Sequence, residues 1–492
     1  MSDAVRFWFR GAVVELGDVA PTRSVLHWLR EDAGASGTKE GCNTGDCGAC
    51  TVVLAEHGVD GVALRTANAC LLTVPMLHGR ALLTVEDVGD VDRLHPVQRA
   101  MMEHAGSQCG FCTPGFVMSM WCATESRRGT DQVPTRDELA DDLTGNLCRC
   151  TGYRPILDAA VDAAEQVVVD GAGEPVDLEA LSAGLDVLDA DGPLHLDAAG
   201  GTFLAPTTEV ELDALLDAHP GARIIAGGTD LVLSMRATGE WSRDDLVLVS
   251  TARVAGLADV RRSDTVLSLG AACSIDAAWA TLDHSLPSLG RMRRRFAGPA
   301  VRGTGTVGGN LVNASPVADL VPVLVALDAV AVLRSRGAER VLPVSELATG
   351  VRTTVLTPGE HVTRVEVPAS SLERTVRVHK VSRRFDDDIS TVSAVLAVER
   401  APDGVVTDVR LVLGGMATTV RRAPRAEAAL LGSRLDDAAV RDAQQALALD
   451  FSPIDDHRAS ASYRSRAAAG LLERICREIN GPDAGLDVWG GR

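Results

Sequence analysis

The sequence predicts an α+β protein of several domains, and three observations carry that prediction. Its 492 residues exceed what one hydrophobic core holds, and a 46% hydrophobic fraction is ample for three or four. Apolar residues alternate up to about residue 90, recur at helical spacing from His95 to Val169, and mix strand-like with helix-like runs from Phe203 onward. Eight of the eleven cysteines gather in two sets before Thr151. A net charge of −19 argues against nucleic acid and anionic membrane surfaces as partners. The longest apolar run, Leu320 to Leu333, is interrupted by Pro322 and Asp328 and is too short to span a bilayer. Met1-Ser2-Asp3-Ala4 leads straight into an alternating strand rather than a secretory leader, so a soluble cytoplasmic protein is expected.

Val5 to Leu16 alternates around Arg10-Gly11 and reads as a hairpin, and Ser24 caps a short helix through Leu29-Arg30. Val52-Val53-Leu54 and Ala81 to Val85 supply further strands, so residues 1–90 form a small ferredoxin-like sheet. Residues 91–169 read as helical: Pro114 suits a first helical turn, Thr135 and Glu138 form a capping box, and Arg154-Pro155 opens an Ala-rich helix. Residues 170–201, rich in Gly, Asp and Ala, read as a linker. Two further domains follow, at 202–372 and 373–492, the last ending in helices between Leu435 and Ile479.

The first cysteine set, Cys42, Cys47, Cys50 and a distant Cys70, has the C-x4-C-x2-C spacing of plant-type 2Fe-2S ligands. Gly41, Gly45 and Gly48 suit a loop that turns sharply and aims backbone N–H groups at sulfur. The second set, Cys109, Cys112, Cys148 and Cys150, pairs C-x2-C with C-x-C and also makes four thiolates. Zinc and disulfides are the rival readings, and for the second set spacing alone leaves them open. Cys122, Cys273 and Cys476 read as buried hydrophobes.

Ile224-Ile225-Ala226-Gly227-Gly228-Thr229-Asp230-Leu231 is a strand turning on two glycines into a helix, either a phosphate cradle or an ordinary tight turn. Gly303, Gly305 and Gly308 satisfy G-x-G-x-x-G, but no strand precedes them. No helix is expected to open at Gly308, because Ser315-Pro316 reads as the cap of a helix through Leu327; a Rossmann site is therefore not expected. The charge run from Lys380 to Ser390 reads as a solvated loop. Lys380 is one of only two lysines, the other being Lys39.

Together these stretches resemble the iron–sulfur and flavin part of the molybdenum hydroxylases, most closely the small subunits of its bacterial xanthine dehydrogenase branch. The specific motifs are Gly41-Cys42 through Cys50 with Cys70, Gln108-Cys109-Gly110-Phe111-Cys112-Thr113-Pro114-Gly115, and Asn146-Leu147-Cys148-Arg149-Cys150-Thr151-Gly152-Tyr153. The resemblance implies a plant-type ferredoxin-like β-grasp domain, a four-helix 2Fe-2S domain, an α/β FAD-binding domain and an α+β C-terminal flavoprotein domain. It implies two 2Fe-2S clusters on the eight cysteines and FAD held by Ile224 to Leu231 and by Thr306, Val307, Gly308, Gly309 and Asn310. Phe296, Asp319, Val362 and Lys380 fall at its other flavin positions, and Asp386 to Asp388 lie on its NAD side. It further implies a separate molybdopterin-binding large subunit, paired into a heterotetramer of two small and two large chains. That partner would oxidise hypoxanthine or xanthine, and electrons would pass through both clusters and FAD to NAD+. No acid–base residue is nominated in this chain. The alternatives are the same module serving an aldehyde, heterocycle or aromatic acyl-CoA, and a free-standing flavin iron–sulfur reductase.

Overall fold

Val52 and Leu54 point to one side of the strand Thr51–Gly58 while Val53 and Ala55 point to the other, and all four are fully buried. A strand with two apolar faces needs a core on each, and the computed structural model supplies both. It describes residues 2–58, 61–130, 132–173 and 177–481, which form two compact units.

The first unit comprises Met1–Ala255 with Ala297–Gly305. Its leading sheet has five strands in the order Ala12–Leu16, Val5–Phe9, Ala81–Leu83, Thr51–Gly58 and Gly61–Asn68. The Val5–Phe9 hairpin turns at Arg10-Gly11, both with positive φ, and the strand pairs in parallel with Ala81–Leu83. One face buries Phe7 and Phe9 edge-on against Trp28, at 5.2 and 5.3 Å, beside the short helix that Ser24 caps. The other face packs on a helical layer: Pro96–Glu103, Thr113–Glu125, Arg136–Asp142 and Arg154–Ala164. Pro114 lies in the first turn of Thr113–Glu125, and Thr135 forms its capping box with Glu138.

The stretch 170–201, expected to be a linker, carries a helix at Leu178–Asp189 and a strand at Leu194–Ala198; residues 174–176 of it lie outside the described residues. Leu181, Leu185 and Leu188 recur at helical spacing and are buried, and Gly184 lies so close to Trp8 that a Cβ would meet the ring at 2.3 Å. Three well-spaced leucines outweigh a composition rich in Gly, Asp and Ala. The strand edges a second sheet, ordered Leu194–Ala198, Gly201–Ala205, Val247–Ser250 and Arg223–Ile225.

The second unit, Gly256–Phe296 with Thr306–Arg492, has two larger antiparallel sheets besides the short pair Ala348–Gly350 and Thr353–Thr354. One runs Val260–Arg262, Val266–Gly270, His361–Pro368, Val330–Ser335 and Ala338–Pro343, backed by Ile275–Ser285 and Leu320–Ala326. The other runs Thr375–Val381, Val392–Arg400, Val406–Gly414 and Arg421–Arg422 under the helices Asp437–Asp450 and Ala461–Asn480. The expected end of the last domain, 482–492, lies outside the described residues.

Two local expectations are overturned here. A short helix, Val307–Val312, does run through Gly308, capped by Thr306, whose Oγ accepts from Gly309 N. The next helix, Leu320–Ala326, starts at Asp319 and not at Ser315-Pro316. Tertiary contacts override the poor propensity of glycine: Val307 N donates to Cys273 O and Gly308 N to Ala271 O, and a Cβ on Gly308 would lie 2.9 Å from Ala271. Pro299–Arg302 is a helical turn, so no strand precedes the glycines, as expected. Among the described residues no helix is long and apolar enough to cross a membrane.

Candidate functional site

The first cysteine loop is shaped by backbone conformations that few residues adopt. Gly45 and Gly48 have φ of +81° and +66°. Gly41 does not take a positive φ and serves by its size instead, since a Cβ there would press on Cys47 Sγ at 2.6 Å. Asn43, at φ +57°, is a left-handed residue that the cysteine spacing does not reveal. The resulting loop points Cys42 N–H at Cys47 Sγ and Thr44 N–H at Cys42 Sγ, both at 3.3 Å. Burial alone would push the Cys42 thiol up, but the hydrogen bonds from Thr44 and Cys47 hold it down to about 7. Cys50 and Cys70, both buried, lie within hydrogen-bonding reach of each other; the shared proton raises Cys50 and lowers Cys70.

The second set repeats this design on helix ends. Cys112 opens the helix Thr113–Glu125 and lies beside Cys148, while Cys109 lies beside Cys150. Cys150 N–H points at Cys148 Sγ at 3.4 Å and the Thr151 hydroxyl lies 3.3 Å from it, so that Cys148, which burial would raise, is held down to about 7. Tyr153, strained at φ +71°, accepts from Cys148 N through its hydroxyl at 3.2 Å. In both sets the sulfurs meet two and two. A two-iron cluster takes its thiolates in such pairs.

The two loops are joined directly. Leu147 N donates to Cys47 O at 3.0 Å, so residues carrying or adjoining one ligand of each set share a hydrogen bond. The Asn146 amide donates to Gly48 O at 3.1 Å and Thr51 Oγ at 3.2 Å while accepting from Ser119 at 2.7 Å. A Cβ on Gly115 would meet Gly48 O at 2.2 Å, so the backbones touch only because glycine is there. Asn146 stands two residues before Cys148, and nothing in the sequence assigns it this role.

The strand Arg223–Ile225 turns through Ala226, Gly227, Gly228, Thr229 and Asp230 into the helix Leu231–Thr238, as the sequence suggested. Gly228 takes φ +71°, and Gly227 rests on Thr304 O, which a Cβ would meet at 1.9 Å. Thr304 Oγ is buried beside this turn with no hydrogen-bond partner among the described residues; sequence reasoning, which begins the stretch at Thr306, misses it.

In the second unit Lys380, its side chain fully buried, donates to Asp319 Oδ2 at 2.8 Å, Arg295 O at 2.8 Å and Asp388 O at 3.0 Å. Ser390 donates to the other Asp319 oxygen. Asp319 and Lys380, 61 residues apart, are thus brought together, and all three lysine protons are used. The run from Lys380 to Ser390 is pinned rather than loosely solvated, because Arg295 stacks 4.7 Å over Phe385 and donates to Phe385 O and Lys380 O. Phe296 packs on Trp279 at 6.5 Å, and Val362 lies in the apolar core opposite Leu333. The Asn310 amide oxygen is buried without a partner among the described residues. Within the first unit, an orphaned hydroxyl at Thr304 beside a glycine turn closed to any Cβ suits a ligand rich in phosphate and hydroxyl groups, as FAD is. Cys122, Cys273 and Cys476 are buried, and burial pushes their thiols up to about 12, 11 and 12.

Comparison with known proteins bears on these sites. Residues 84–161 match the family described as "[2Fe-2S] binding domain", 198–370 "FAD binding domain in molybdopterin dehydrogenase", and 377–479 "CO dehydrogenase flavoprotein C-terminal domain". The xanthine dehydrogenase of Emericella nidulans is 31% identical over 97% of this chain and 39% of its own length. Aldehyde oxidase 2 of Cavia porcellus is 32% identical over 88% of this chain and 36% of its own. The chain therefore spans under two fifths of the length of either relative. The crystal structure of quinoline 2-oxidoreductase from Pseudomonas putida 86 aligns with a TM-score of 0.51 and 26% identity, covering 56% of this chain and 95% of that one.

Proposed function

Because the chain belongs to the molybdenum hydroxylase family, as its iron–sulfur and flavin module, we propose that it carries electrons from a molybdopterin-binding partner, which oxidises hypoxanthine and xanthine to urate, onward to NAD+. In this reading Cys42, Cys47, Cys50 and Cys70 hold one 2Fe-2S cluster and Cys109, Cys112, Cys148 and Cys150 a second. FAD is held by Ile224 to Leu231 with Thr304, and by Phe296, Thr306 to Asn310, Asp319, Val362 and Lys380. When bound, the clusters supply one-electron carriers and the flavin converts single electrons into the pair that a hydride to NAD+ needs.

The observation that carries the reading is the hydrogen bond from Leu147 N to Cys47 O, which makes two four-thiol sets one continuous structure. The protein groups do the positioning. Thr44, Thr151 and the backbone N–H groups hold sulfur as thiolate, Asn146 sets the spacing of the loops, and Asp319 with the carbonyls of Arg295 and Asp388 fixes the Lys380 side chain in place. Cys109 and Cys150 are exposed beside Phe111, Leu147 and Tyr153, which are 48%, 39% and 39% exposed; this apolar rim supports docking of the molybdenum partner at that face. Two such pairs form the proposed heterotetramer. The eleven unpaired cysteines support a reducing, cytoplasmic setting.

Purification of the native complex, followed by assay with xanthine and NAD+, tests this. Xanthine-dependent formation of reduced nicotinamide by a molybdenum-containing complex is expected. A molybdenum complex that turns over aldehydes or quinoline-like heterocycles but not xanthine would instead select the second reading, which the comparable identity to aldehyde oxidase 2 supports. An active flavin iron–sulfur protein with no molybdenum would overturn both.

A further inference from the structure

Arg236 stands in the last turn of the helix that begins at the glycine turn, Leu231–Thr238, and its guanidinium reaches away from its own element. It donates to Cys70 O at 2.9 Å, to Asn43 O at 3.1 Å and to Asn43 Oδ1 at 3.4 Å. Asn43 follows Cys42, and its left-handed backbone at φ +57° is part of what gives the loop its form. One side chain therefore grips the first cysteine set at both ends. Trp241 lies under the guanidinium at 5.4 Å, which fixes its plane and shields it from water on that side. At the other end of the same helix, Gly228 lies against the residue after Cys70; a Cβ there would stand 3.5 Å from Leu71 O.

We propose that Arg236 is the positioning and potential-setting residue of the first cluster: a fixed, half-buried cation that favours the cluster's more negative, reduced form and ties its loop to the flavin turn. The inference rests on the reading of Cys42, Cys47, Cys50 and Cys70 as cluster ligands. A charge within contact of a ligand residue and partly out of water acts through a lower effective dielectric than one in solvent. The second set has no equivalent of this kind in its own loop: Arg149, between Cys148 and Cys150, is exposed and screened. The charge thus distinguishes the two clusters, drawing electrons toward the one next to the flavin turn.

The test is a redox titration of the purified holoprotein followed by electron paramagnetic resonance, on wild type, Arg236→Gln, Arg236→Met and Arg236→Lys, with iron content and thermal unfolding measured on each. Removing the charge is expected to shift the reduced-to-oxidised ratio of the first cluster at a fixed potential about tenfold toward oxidised, about 59 mV for one electron. The second cluster's ratio should stay unmoved. Arg236→Lys is expected to restore the ratio to within roughly threefold of wild type, even where it melts earlier for want of the forked hydrogen bonds. A merely structural arginine would lower the melting temperature in all three variants and leave the potential alone. An unshifted first cluster in Arg236→Gln or Arg236→Met, with about four irons per chain as two such clusters need, overturns the role of Arg236 alone. About two irons per chain in wild type overturns the reading of the first cysteine set, and the inference with it. Arg236→Gln retains hydrogen-bond donors, so it reports the same shift in potential if Arg236→Met does not fold.

Discussion

The two cysteine sets of the first unit do the same thing with different materials. The first sits on a loop leading into the strand Thr51–Gly58, with Cys50 and Cys70 buried beneath its own sheet. The second sits on helix starts and turns, with Cys109 and Cys150 exposed. The inner set is held by positive-φ residues and a cation from a distant helix; the outer set is held by a helix N-terminus and by the strained Tyr153. In the proposed reading, a chain that hands electrons on needs one end dry and one end within reach of a partner, and the two constructions suit those opposite demands.

The seam between them is the place to break the comparison. Gly115→Ala puts a methyl group 2.2 Å from Gly48 O, where backbone and not a flexible side chain must yield. It should destabilise the unit by about 3 kcal/mol, and, because both loops share the contact, both iron–sulfur signals should weaken together in spectra of the purified protein. Loss of one signal alone would mean the two sets are structurally independent.

Acid should separate the two regions rather than join them. His78, buried under the first sheet, accepts from Arg6 N at 3.1 Å; burial first, then the nearby Arg253 guanidinium, lower its pKa from 6.5 to about 4. The unfolded chain takes up that proton more readily, so the penalty is absent above pH 6.5 and grows as pH falls from 6.5 to about 4, reaching up to roughly 3 kcal/mol. On the helical side Glu125 behaves oppositely. Burial would raise its pKa, but His95, at 3.0 Å, and Arg128, at 2.7 Å, hold it below the ordinary value. Its contribution therefore persists above the usual carboxylate range and fades only as pH falls through the lowered value. Hydrogen exchange at pH 5 should show amides of the first sheet losing protection before those of Thr113–Glu125, and His78→Asn, which keeps an acceptor, should flatten the difference.

The smallest expected effect sharpens the outer site. Tyr153→Phe removes the hydroxyl that accepts from Cys148 N and should cost about 1 kcal/mol. It should alter the resonance signal of the outer cluster only; a change in the inner signal as well would contradict the assignment of Tyr153 to one site.

Much of this was legible in the sequence, and the boundary of what was legible is physical. The cysteine spacings, the Arg10-Gly11 hairpin, Pro114 in a first turn and the Thr135–Glu138 capping box each depend on residues a few positions apart, so local chemistry decides them. The readings of 170–201 as a linker and of Gly308 as non-helical failed where local propensity was weak. Leucines packing near Trp8, and the carbonyls of Ala271 and Cys273, settled those segments instead.

Sequence alone determined which residues could be thiolate ligands, where the glycine turns lie and how strands and helices alternate, because spacing and propensity act along the chain. Only the tertiary structure decided that Asn146 would meet Gly48 across 98 residues, that Arg236 would meet Cys70 across 166, and that Lys380 would spend its protons on Asp319, Arg295 and Asp388. Such partners are selected by close packing and by the need to satisfy buried polar groups, and neither leaves a period or a motif in the sequence to read.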